Sequence, residues 1–371
     1  MKLLVVGHSL IIDSNRKFWG KFAQANNAEV DLIAPSRWCS NLSKEIHFKN
    51  NPSTDSGLRS IFNIDVCFKG KGSFFFFSLS KIFRLLSLEK YNAIYLNQET
   101  WSNAACLFLL VKFFTKNKST KVFLCVAQNL KKKNLAFLHP YERFISKGIH
   151  AFLHCSQEVE EVLRWKGIKK PSLYFPLPFD DEVYQFQTSG NTRFSLGFLG
   201  RLSEDKGLPL LLRALDDLNS NEIIYPLIVG GSGPLQAELT SRKYVTYLGV
   251  IPHNEAYKFY QSIDCFILPS QTCSHWKEQF GRVITESFGA GKPVIGSSSG
   301  SIPEVLGKLS WEWVFKEDSV EELKYLIVKL KKFLDSDEGQ MKLSDSIQKN
   351  QKNFSNSEVA LKLYQQMLSS F

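Results

Sequence analysis

The sequence predicts an α/β protein with two doubly wound parallel-sheet domains. Short apolar runs of strand length alternate with amphipathic stretches of helix length, a pattern typical of a parallel sheet covered on both faces. The 371 residues suffice for two such domains, since a domain usually has about 100–200 residues. A polar segment with Pro and Gly at residues 175–192 separates two such series and is the best linker candidate.

The first series begins with a strand at residues 2–6 that ends at Gly7. Further strands are predicted at residues 30–34, 93–96, 122–127 and 151–155, and helices at residues 16–25, 78–86, 104–114 and 158–166. The charged stretch at residues 40–68 fits no element. We assign residues 1–185 to an N-terminal domain.

The second series defines a C-terminal domain over residues 186–345. Its predicted strands are at residues 194–199, 223–229, 245–248, 265–268 and 293–295, and its helices at residues 208–218, 254–262, 283–289 and 320–334. A last helix is predicted at residues 355–371, where apolar residues recur at helical spacing. Between them, Asp335-Ser336-Asp337 has the literal form of a metal-binding DxD motif, but its polar surroundings favour a solvated turn.

The net charge of +10 is concentrated in the first half. Residues 1–185 carry 26 Lys and Arg against 15 Asp and Glu, a net charge of +11, whereas residues 186–371 carry 20 against 21, a net charge of −1. This asymmetry indicates an anionic partner such as a membrane surface, a lipid phosphate or an acidic acceptor, although generic solubilising charge explains it equally well. No nucleic-acid-reading module is recognisable, so nucleic acid is not an expected partner.

Interleaved Lys and Phe in this half slightly favour an anionic membrane surface. The alternatives are an acidic soluble glycan on the same face, and Phe side chains in the core beside solvated Lys. The relevant residues are Lys112, Phe113, Phe114, Lys116, Lys118, Lys121 and residues 131–133. No apolar run reaches the roughly 18–20 residues that span a bilayer, and the first residues lack signal-peptide features. We therefore expect a cytoplasmic protein, peripheral on the membrane at most. Seven cysteines without metal-ligand spacing are expected to be buried reduced thiols: Cys39, Cys67, Cys106, Cys125, Cys155, Cys265 and Cys273.

Two cations follow the first strand of the second domain. Arg201 and Lys206 lie in a polar turn between this strand and a helix that Gly207 would open. Ligands of doubly wound sheets bind at the carboxyl ends of the strands, and helix N-termini favour anions. The two side chains could thus converge on a diphosphate, although an ordinary basic surface turn fits the pattern equally well.

Two carboxylates bracket a glycine further along. If a helix begins near Gly281, Glu286 lies inside it and Glu278 in the preceding loop, with the amides of Phe280 and Gly281 between them. Paired carboxylates also occur in glycoside hydrolases, but there they oppose each other across a cleft. A solvated Glu pair remains an alternative. The glycine-serine turn after the next strand would offer main-chain donors to a phosphate or a sugar.

The order of these motifs resembles glycosyltransferase family 4, the retaining enzymes of the GT-B fold. The motifs are Gly-Arg-x4-Lys-Gly at residues 200–207, Gly-Gly-Ser-Gly-Pro at 230–234, Tyr-Leu-Gly-x-Ile at 247–251, Leu-Pro-Ser at 268–270, Glu-x7-Glu at 278–286 and Gly-x-Pro-Val-Ile-Gly at 291–296. The tail pattern Phe-Ser-x3-Val-Ala at residues 354–360 also matches. The resemblance implies two Rossmann-like domains, the first binding the acceptor and the second the nucleotide-sugar, with the last helix crossing back to the first domain.

The resemblance also implies roles for matching residues. Arg201 and Lys206 resemble the cations that bind the donor diphosphate, and Glu278 the carboxylate that holds the sugar hydroxyls near the amides of Phe280 and Gly281. The remaining donor-binding positions are the ribose ligand Glu286, the base clamp Ile251 and the diphosphate-facing Gly7. The family's acceptor-side His is absent; His8, Gln128 or Asn129 could take its place.

Such an enzyme transfers a sugar with retention and needs no metal or other cofactor, because protein cations stabilise the departing diphosphate. The sequence leaves open the base, the sugar and the acceptor, which is a glycan or a lipid-linked molecule in envelope or polysaccharide synthesis. The alternatives are an epimerase or phosphorylase on the same frame, and a non-catalytic protein that binds anions or membranes.

Overall fold

The computed structural model describes all residues except 40–44, 69–74, 186–192, 221, 223 and 371. The chain forms two compact units: unit 1 comprises Met1–Phe175 and Val359–Phe371, and unit 2 comprises Pro176–Glu358. The first boundary thus lies ten residues before the predicted end of the N-terminal domain at residue 185. The polar end of the predicted linker, residues 188–192, lies outside the described residues.

Unit 1 contains a seven-stranded parallel sheet and two small antiparallel sheets. Its strands are β1 (Lys2–Gly7), β2 (Glu29–Pro35), β3 (Arg37–Cys39), β4 (Glu45–His47), β5 (Ser60–Ile64), β6 (Val66–Cys67), β7 (Phe76–Phe77), β8 (Ala93–Asn97), β9 (Lys121–Val126), β10 (Ala151–His154) and β11 (Ser172–Tyr174). Its first helices are α1 (Asp13–Ala25), α2 (Leu79–Leu88), α3 (Asn103–Phe113), α4 (His139–Ser146) and α5 (Gln157–Trp165). The main sheet has the order β11-β10-β9-β8-β1-β2-β5.

The central strands and the helices α1, α2, α3 and α5 of unit 1 were predicted from the sequence, whereas strands at the sheet edge were not. Edge strand β5 is only partly buried, and its sequence Ser-Ile-Phe-Asn-Ile shows no regular alternation of polar and apolar residues. It lies in the stretch at residues 40–68 that fitted no element. The same stretch contains the largely exposed strand β4, which pairs with β3. Edge strand β11 was also missed, since all three of its residues are half-buried.

Unit 2 contains a six-stranded parallel sheet of the order β14-β13-β12-β15-β16-β17. These strands are β12 (Leu196–Leu199), β13 (Leu227–Gly230), β14 (Val245–Tyr247), β15 (Cys265–Leu268), β16 (Val294–Ser297) and β17 (Val314–Phe315). The remaining helices of the chain are α6 (Leu208–Leu218), α7 (Ala256–Gln261), α8 (Arg282–Gly289), α9 (Ile302–Lys308), α10 (Val320–Leu334), α11 (Asp337–Phe354) and α12 (Asn356–Ser369). In chain order this sheet reads 3-2-1-4-5-6, the order of doubly wound dinucleotide-binding sheets.

The last helix, α12, completes the core of unit 1. Val359, Leu363 and Met367 recur every four residues and are buried against Phe22 of α1 and the first strands of the sheet. Burying one such side chain stabilises the fold by about 1.5–3 kcal/mol. The return of the tail to the first domain, implied by the family resemblance, is therefore confirmed.

Two sequence predictions need correction. Asp335-Ser336-Asp337 is no simple turn, because the Ser336 side chain caps the 18-residue helix α11 by accepting a hydrogen bond from the Gly339 amide. Only Cys155 and Cys265 are fully buried; Cys67 is exposed on a two-residue strand, and the other four thiols are half-buried. All seven cysteines are free. Among the described residues, every helix is too short or too polar to cross a bilayer.

Candidate functional site

The site of unit 2 lies where its strand order reverses, between β12 and β15. At this point the loops after two neighbouring strands diverge, so doubly wound sheets bind ligands there. The loop after β12 carries Arg201 and Lys206, and the loop after β15 carries Ser270, Trp276 and Glu278. The sheet topology therefore brings together two motifs that are 72 residues apart in the chain.

Lys206 and Glu278 form an ion pair across this reversal. The Lys206 ammonium lies 2.7 Å from Oε2 of Glu278, and the Ser270 hydroxyl donates to the same oxygen at 2.9 Å. The ammonium also lies 4.2 Å from the ring centroid of Trp276. Both charged side chains are largely buried. An ammonium has three N–H donors, so two remain for a ligand after the bond to Glu278.

The close approach of the two loops requires glycine at position 207. Gly207 has φ 72° and precedes helix α6, as predicted, and a Cβ there would lie 1.7 Å from the carbonyl oxygen of Pro269 in the other loop. The Gln271 amide also donates to the Asp205 carbonyl at 2.8 Å. These backbone contacts hold Lys206 and Glu278 on a rigid frame, which favours a pre-organised site.

The glycine-serine turn after β16 supports the backbone of Glu278. The Ser301 amide and hydroxyl donate to the Glu278 carbonyl at 3.2 and 3.3 Å. A Cβ on Gly300, which has φ 53°, would lie 2.0 Å from that same oxygen. The predicted role of this turn as a ligand donor is therefore wrong for Ser301, since its donors are directed at Glu278.

Arg201 has a different environment from Lys206. Its side chain is 56% exposed, and Nη1 lies 3.8 Å from Oδ2 of Asp205. An exposed pair of this length contributes little to stability, about 0–1 kcal/mol. The guanidinium can therefore reorient toward an anion at low energetic cost, whereas Lys206 is fixed in place.

Glu286 lies in helix α8, which begins after Gly281 as predicted. Its carboxylate is buried, with Oε2 accepting a hydrogen bond from the Tyr260 hydroxyl at 3.0 Å and Oε1 lying 3.9 Å from Nε2 of His253. Burial raises the pKa of Glu286, and the nearby Arg282 and His253 and the bond from Tyr260 partly oppose this shift. A buried carboxylate with few donors is a strong hydrogen-bond acceptor, which suits a hydroxyl-bearing ligand.

Phe280 and Ile251 are fixed by packing. The Phe280 ring is buried, 5.8 Å from the ring of Phe354, and this anchors the backbone immediately before α8. Ile251 packs over the end of β13, because a Cβ on Gly230 would lie 2.5 Å from its Cδ1. Both backbones thus lie at the carboxyl edge of the sheet, beside the loops that carry Lys206 and Glu278.

In unit 1 the strand order reverses between β1 and β8, and Gly7 ends β1 at this point. A Cβ on Gly7 would lie 3.1 Å from that of Asn97, so the two strand ends are in tight contact. His8 follows, stacked on Trp38 at 4.7 Å and edge-on to Phe75 at 5.6 Å. Within the described part of the chain its buried Nδ1 has no hydrogen-bond partner, and burial lowers the pKa of its ring. His8 is therefore a neutral imidazole with one unused polar atom.

The side chains of Gln128 and Asn129 form hydrogen bonds to other residues of unit 1. Oε1 of Gln128 accepts a hydrogen bond from the Lys166 ammonium at 2.6 Å, and the Asn129 amide donates to Glu158 at 3.1 Å. Lys166 is itself buried, with its ammonium 2.7 Å from a carboxylate oxygen of Glu142. Both predicted candidates are thus held in an internal polar network.

Sequence reasoning missed several residues at these two edges. In unit 2 they are Ser270, Trp276, Tyr260 and His253; in unit 1 they are Glu99, Glu142 and Lys166. Glu99 accepts a hydrogen bond from the Ala127 amide at 3.0 Å, and burial raises its pKa. The Leu-Pro-Ser motif contains Ser270 and was a usable signal, whereas the unit 1 residues come from separate segments without a local pattern.

Comparisons with known proteins agree with the motif reading. Residues 180–353 match the model of the family described as glycosyl transferases group 1. An uncharacterized glycosyltransferase of Methanocaldococcus jannaschii is 30% identical over 33% of this chain and 32% of its own length. The D-rhamnosyltransferase WbpZ of Pseudomonas aeruginosa is 29% identical over 44% of this chain and 43% of its own length. The chain thus spans about a third to less than half of the length of these curated relatives.

The fold comparison covers the complete chain. The crystal structure of Anabaena Alr3699/HepE in complex with UDP and glucose has a TM-score of 0.70 at 16% identity and matches 100% of both chains. The predicted α/β fold with two Rossmann-like units of the GT-B type is therefore confirmed. The predicted resemblance to glycosyltransferases is confirmed by the family match, which lies entirely within unit 2.

Proposed function

We propose that this protein is a glycosyltransferase that moves a sugar from a nucleotide-sugar donor to a glycan or lipid-linked acceptor, with retention of configuration. The observation that carries the proposal is the pair Lys206–Glu278, supported by Ser270, at the strand-order reversal of unit 2. A fixed cation beside a fixed carboxylate suits a ligand with a phosphate next to a polyhydroxylated group, which describes a nucleotide-sugar.

In this proposal the donor binds along the edge of unit 2. Glu286 accepts the ribose hydroxyls, the Ile251 backbone contacts the base, and Glu278 accepts the sugar hydroxyls. The Phe280 and Gly281 amides bind the sugar or the phosphate from the loop before α8. Arg201 and Lys206 bind the diphosphate, and Gly7 is assigned to donor binding by the family resemblance alone.

The chemistry is electrostatic. As the bond from the anomeric carbon to the phosphate oxygen breaks, negative charge builds on the nucleoside diphosphate and positive charge on the sugar ring. Lys206 and Arg201 stabilise the departing anion, and Glu278 stabilises the ring. The acceptor hydroxyl attacks from the face that the diphosphate leaves, and its proton passes to the departing phosphate oxygen. Two protein cations supply the neutralisation, so the proposal includes no metal or other cofactor.

On the acceptor side we propose His8 as a hydrogen-bonding residue. Its ring is neutral and rigidly stacked on Trp38, and its Nδ1 is unused among the described residues. A polar atom held in an aromatic pocket suits a sugar, because sugar rings present both C–H faces and hydroxyls. Gln128 and Asn129 would then position the surrounding backbone through their bonds to Lys166 and Glu158.

The relatives support this class of reaction. The matched D-rhamnosyltransferase is named for sugar transfer, and the matched crystal structure contains UDP and glucose. The experiment that tests the proposal is a thermal-shift screen of UDP-, GDP- and ADP-sugars, followed by NMR of the product anomer with and without EDTA. Turnover with an inverted anomer would overturn retention, and loss of activity in EDTA would overturn metal independence. Nucleotide binding without transfer or hydrolysis would favour the non-catalytic alternative.

A further inference from the structure

Helix α3 of unit 1 carries apolar residues on its exposed side as well as on its buried side. Ala104, Ala105 and Phe108 are buried against the unit, yet Leu110 and Phe113 on the opposite side are exposed. A surface helix normally carries polar residues opposite its buried face, and a helix that is apolar on all sides is usually covered on all sides. We therefore expect the exposed side of α3 to be covered by another apolar surface.

The exposure is concentrated at the end of α3. Phe113 and Phe114 are 65% and 67% exposed, with ring centroids 5.4 Å apart. Leu110 precedes them by three and four residues, so it lies on the same side. Helix α2 packs beside α3 and ends at the exposed Leu88, whose carbonyl accepts a hydrogen bond from the Lys116 ammonium. We call Leu88, Leu110, Phe113 and Phe114 the α2–α3 tip.

Exposed cations surround this tip. Lys90, Lys116 and Lys118 are exposed, and the Lys90 ammonium donates to the Lys116 carbonyl at 2.8 Å, which places the Lys90 side chain beside the Lys116 backbone. Residues 100–141 contain seven Lys and no Asp or Glu. Glu89, next to Leu88, is paired with Lys2. The net charge around the tip is thus positive.

Of the seven lysines predicted to contact lipid, Lys112 and Lys121 face inward. The Lys112 ammonium donates to the Lys118 carbonyl at 2.7 Å, and burial together with nearby Lys90 lowers its pKa to about 8. The Lys121 ammonium donates to the Ser370 carbonyl at 2.5 Å in the last turn of the chain. The exposed cations next to the aromatic pair are therefore Lys116 and Lys118.

We propose that the α2–α3 tip docks on membranes that contain anionic lipids, with Phe113 and Phe114 in the headgroup region and Lys116 and Lys118 on the lipid charges. A projecting aromatic pair with a basic rim matches an interface that is apolar inside and negatively charged outside. A second copy of the chain is disfavoured, because a two-fold contact would place the lysines of one rim against those of the other. The proposal does not depend on the glycosyltransferase assignment.

The test is co-sedimentation of the full chain with phosphatidylcholine vesicles, with and without phosphatidylglycerol, at low and high salt. We expect binding only with the anionic lipid and its loss at high salt, since screening weakens surface electrostatics. The double variant Lys116→Glu/Lys118→Glu removes two cations and adds two anions, so we expect at least 25-fold weaker binding, from about fivefold per lysine. Phe113→Ser/Phe114→Ser should also weaken binding while it preserves the salt dependence.

A matched control is available on helix α11 of unit 2. Met341 and Lys342 are exposed there, so Met341→Ser/Lys342→Glu changes one apolar and one basic residue away from the tip. We expect this variant to bind vesicles as the parent does, and all variants to keep the parent melting temperature. The proposal is overturned if the parent does not bind at low salt, if binding ignores lipid charge, or if the control loses binding equally.

Two further measurements distinguish rival occupants and the proposed function. Analytical ultracentrifugation of the parent should show no dimer that Phe113→Ser/Phe114→Ser dissociates; such a dimer would identify a second copy as the occupant and overturn the proposal. Donor hydrolysis in the absence of lipid should be unchanged in both tip variants. A parent that hydrolyses no donor but binds vesicles would overturn the glycosyltransferase assignment alone.

Discussion

The two units share one sheet topology but use its switch point differently. In unit 2 the reversal between β12 and β15 holds a charged pair, Lys206 and Glu278, on loops tied together by backbone contacts. In unit 1 the reversal between β1 and β8 holds the neutral, buried His8 in an aromatic pocket. The same frame therefore provides one edge suited to an anionic ligand and another suited to an uncharged one.

The two edges also differ in how easily their sequences can change. The unit 2 edge depends on glycines that no other residue can replace without backbone movement, whereas the unit 1 edge depends on side-chain packing. A family can change side-chain packing without altering the sheet. We therefore expect the unit 2 edge, proposed to bind the donor, to tolerate few substitutions and the unit 1 edge, proposed to bind the acceptor, to tolerate many.

The largest effect is expected from Glu278→Gln. The substitution keeps the shape and the bond from Ser270 but removes the charge that positions Lys206. We expect turnover to fall about a hundredfold, as for other losses of catalytic orientation, while affinity for the free nucleoside diphosphate changes little. Glu255→Gln, at an exposed surface pair, is the control and should keep the parent turnover. An unchanged turnover in Glu278→Gln would remove this carboxylate from the chemistry.

Two glycines with the same backbone conformation test the frame of unit 2. Gly207 and Gly249 have φ 72° and 73°, but a Cβ on Gly207 would meet Pro269 whereas one on Gly249 would meet nothing within 4 Å. Gly249→Ala should cost about 1–2 kcal/mol of stability, from the left-handed conformation alone. Gly207→Ala should cost clearly more and weaken nucleotide binding as well. Thermal unfolding and calorimetric titration measure both, and equal losses of stability would contradict the tight contact.

The variants Arg201→Ala and Lys206→Ala compare the loss of an exposed, mobile cation with the loss of a buried, fixed one. Each alanine variant should weaken nucleoside diphosphate binding by about 1.5–3 kcal/mol, the usual contribution of a charge-assisted bond. Lys206→Ala also leaves Glu278 without its cation, so we expect it to lower turnover more than Arg201→Ala does. Titration calorimetry and initial rates separate the two effects. Parent-like binding in both variants would show that the phosphate assignment is wrong.

The two units also differ in how much of each site the sequence alone predicts. In unit 2 the site needs left-handed backbone conformations next to strand ends, as at Gly207 and Gly281. Such positions require glycine, so a short sequence motif is enough to predict them. The Lys166–Glu142 pair and Glu99 belong to segments that only the folded sheet brings together, so no spacing reveals them. Helix α11 was missed because its polar sequence has few buried apolar positions, among them Leu343 and Phe354.

A smaller effect is expected on the pH dependence of the melting temperature, through Glu286 of unit 2. Burial raises the pKa of Glu286 above its ordinary value of 4.5, so the folded state favours the protonated form. Its contribution to stability is present below that value and is lost as pH rises through the folded-state pKa. Glu286→Gln should thus gain melting temperature relative to the parent as pH rises, although it loses affinity for nucleotides. A constant difference across the pH range would contradict the shift.

The smallest effect is expected from His8 of unit 1, which gives the melting temperature the opposite pH dependence. Burial lowers the pKa of His8 below its ordinary value of 6.5, so the folded state favours the neutral ring. The corresponding stability is present above pH 6.5 and is lost as pH falls through the folded-state pKa, because the unfolded chain then binds the extra proton. Phe at this position keeps the stacking on Trp38 without a titratable group, so His8→Phe should gain melting temperature relative to the parent only on acidification. Nucleotide affinity should be unchanged in this variant, because His8 lies on the edge assigned to the acceptor. If His8→Phe instead weakens nucleotide binding as much as Arg201→Ala does, the division of the two edges into donor and acceptor sides is wrong.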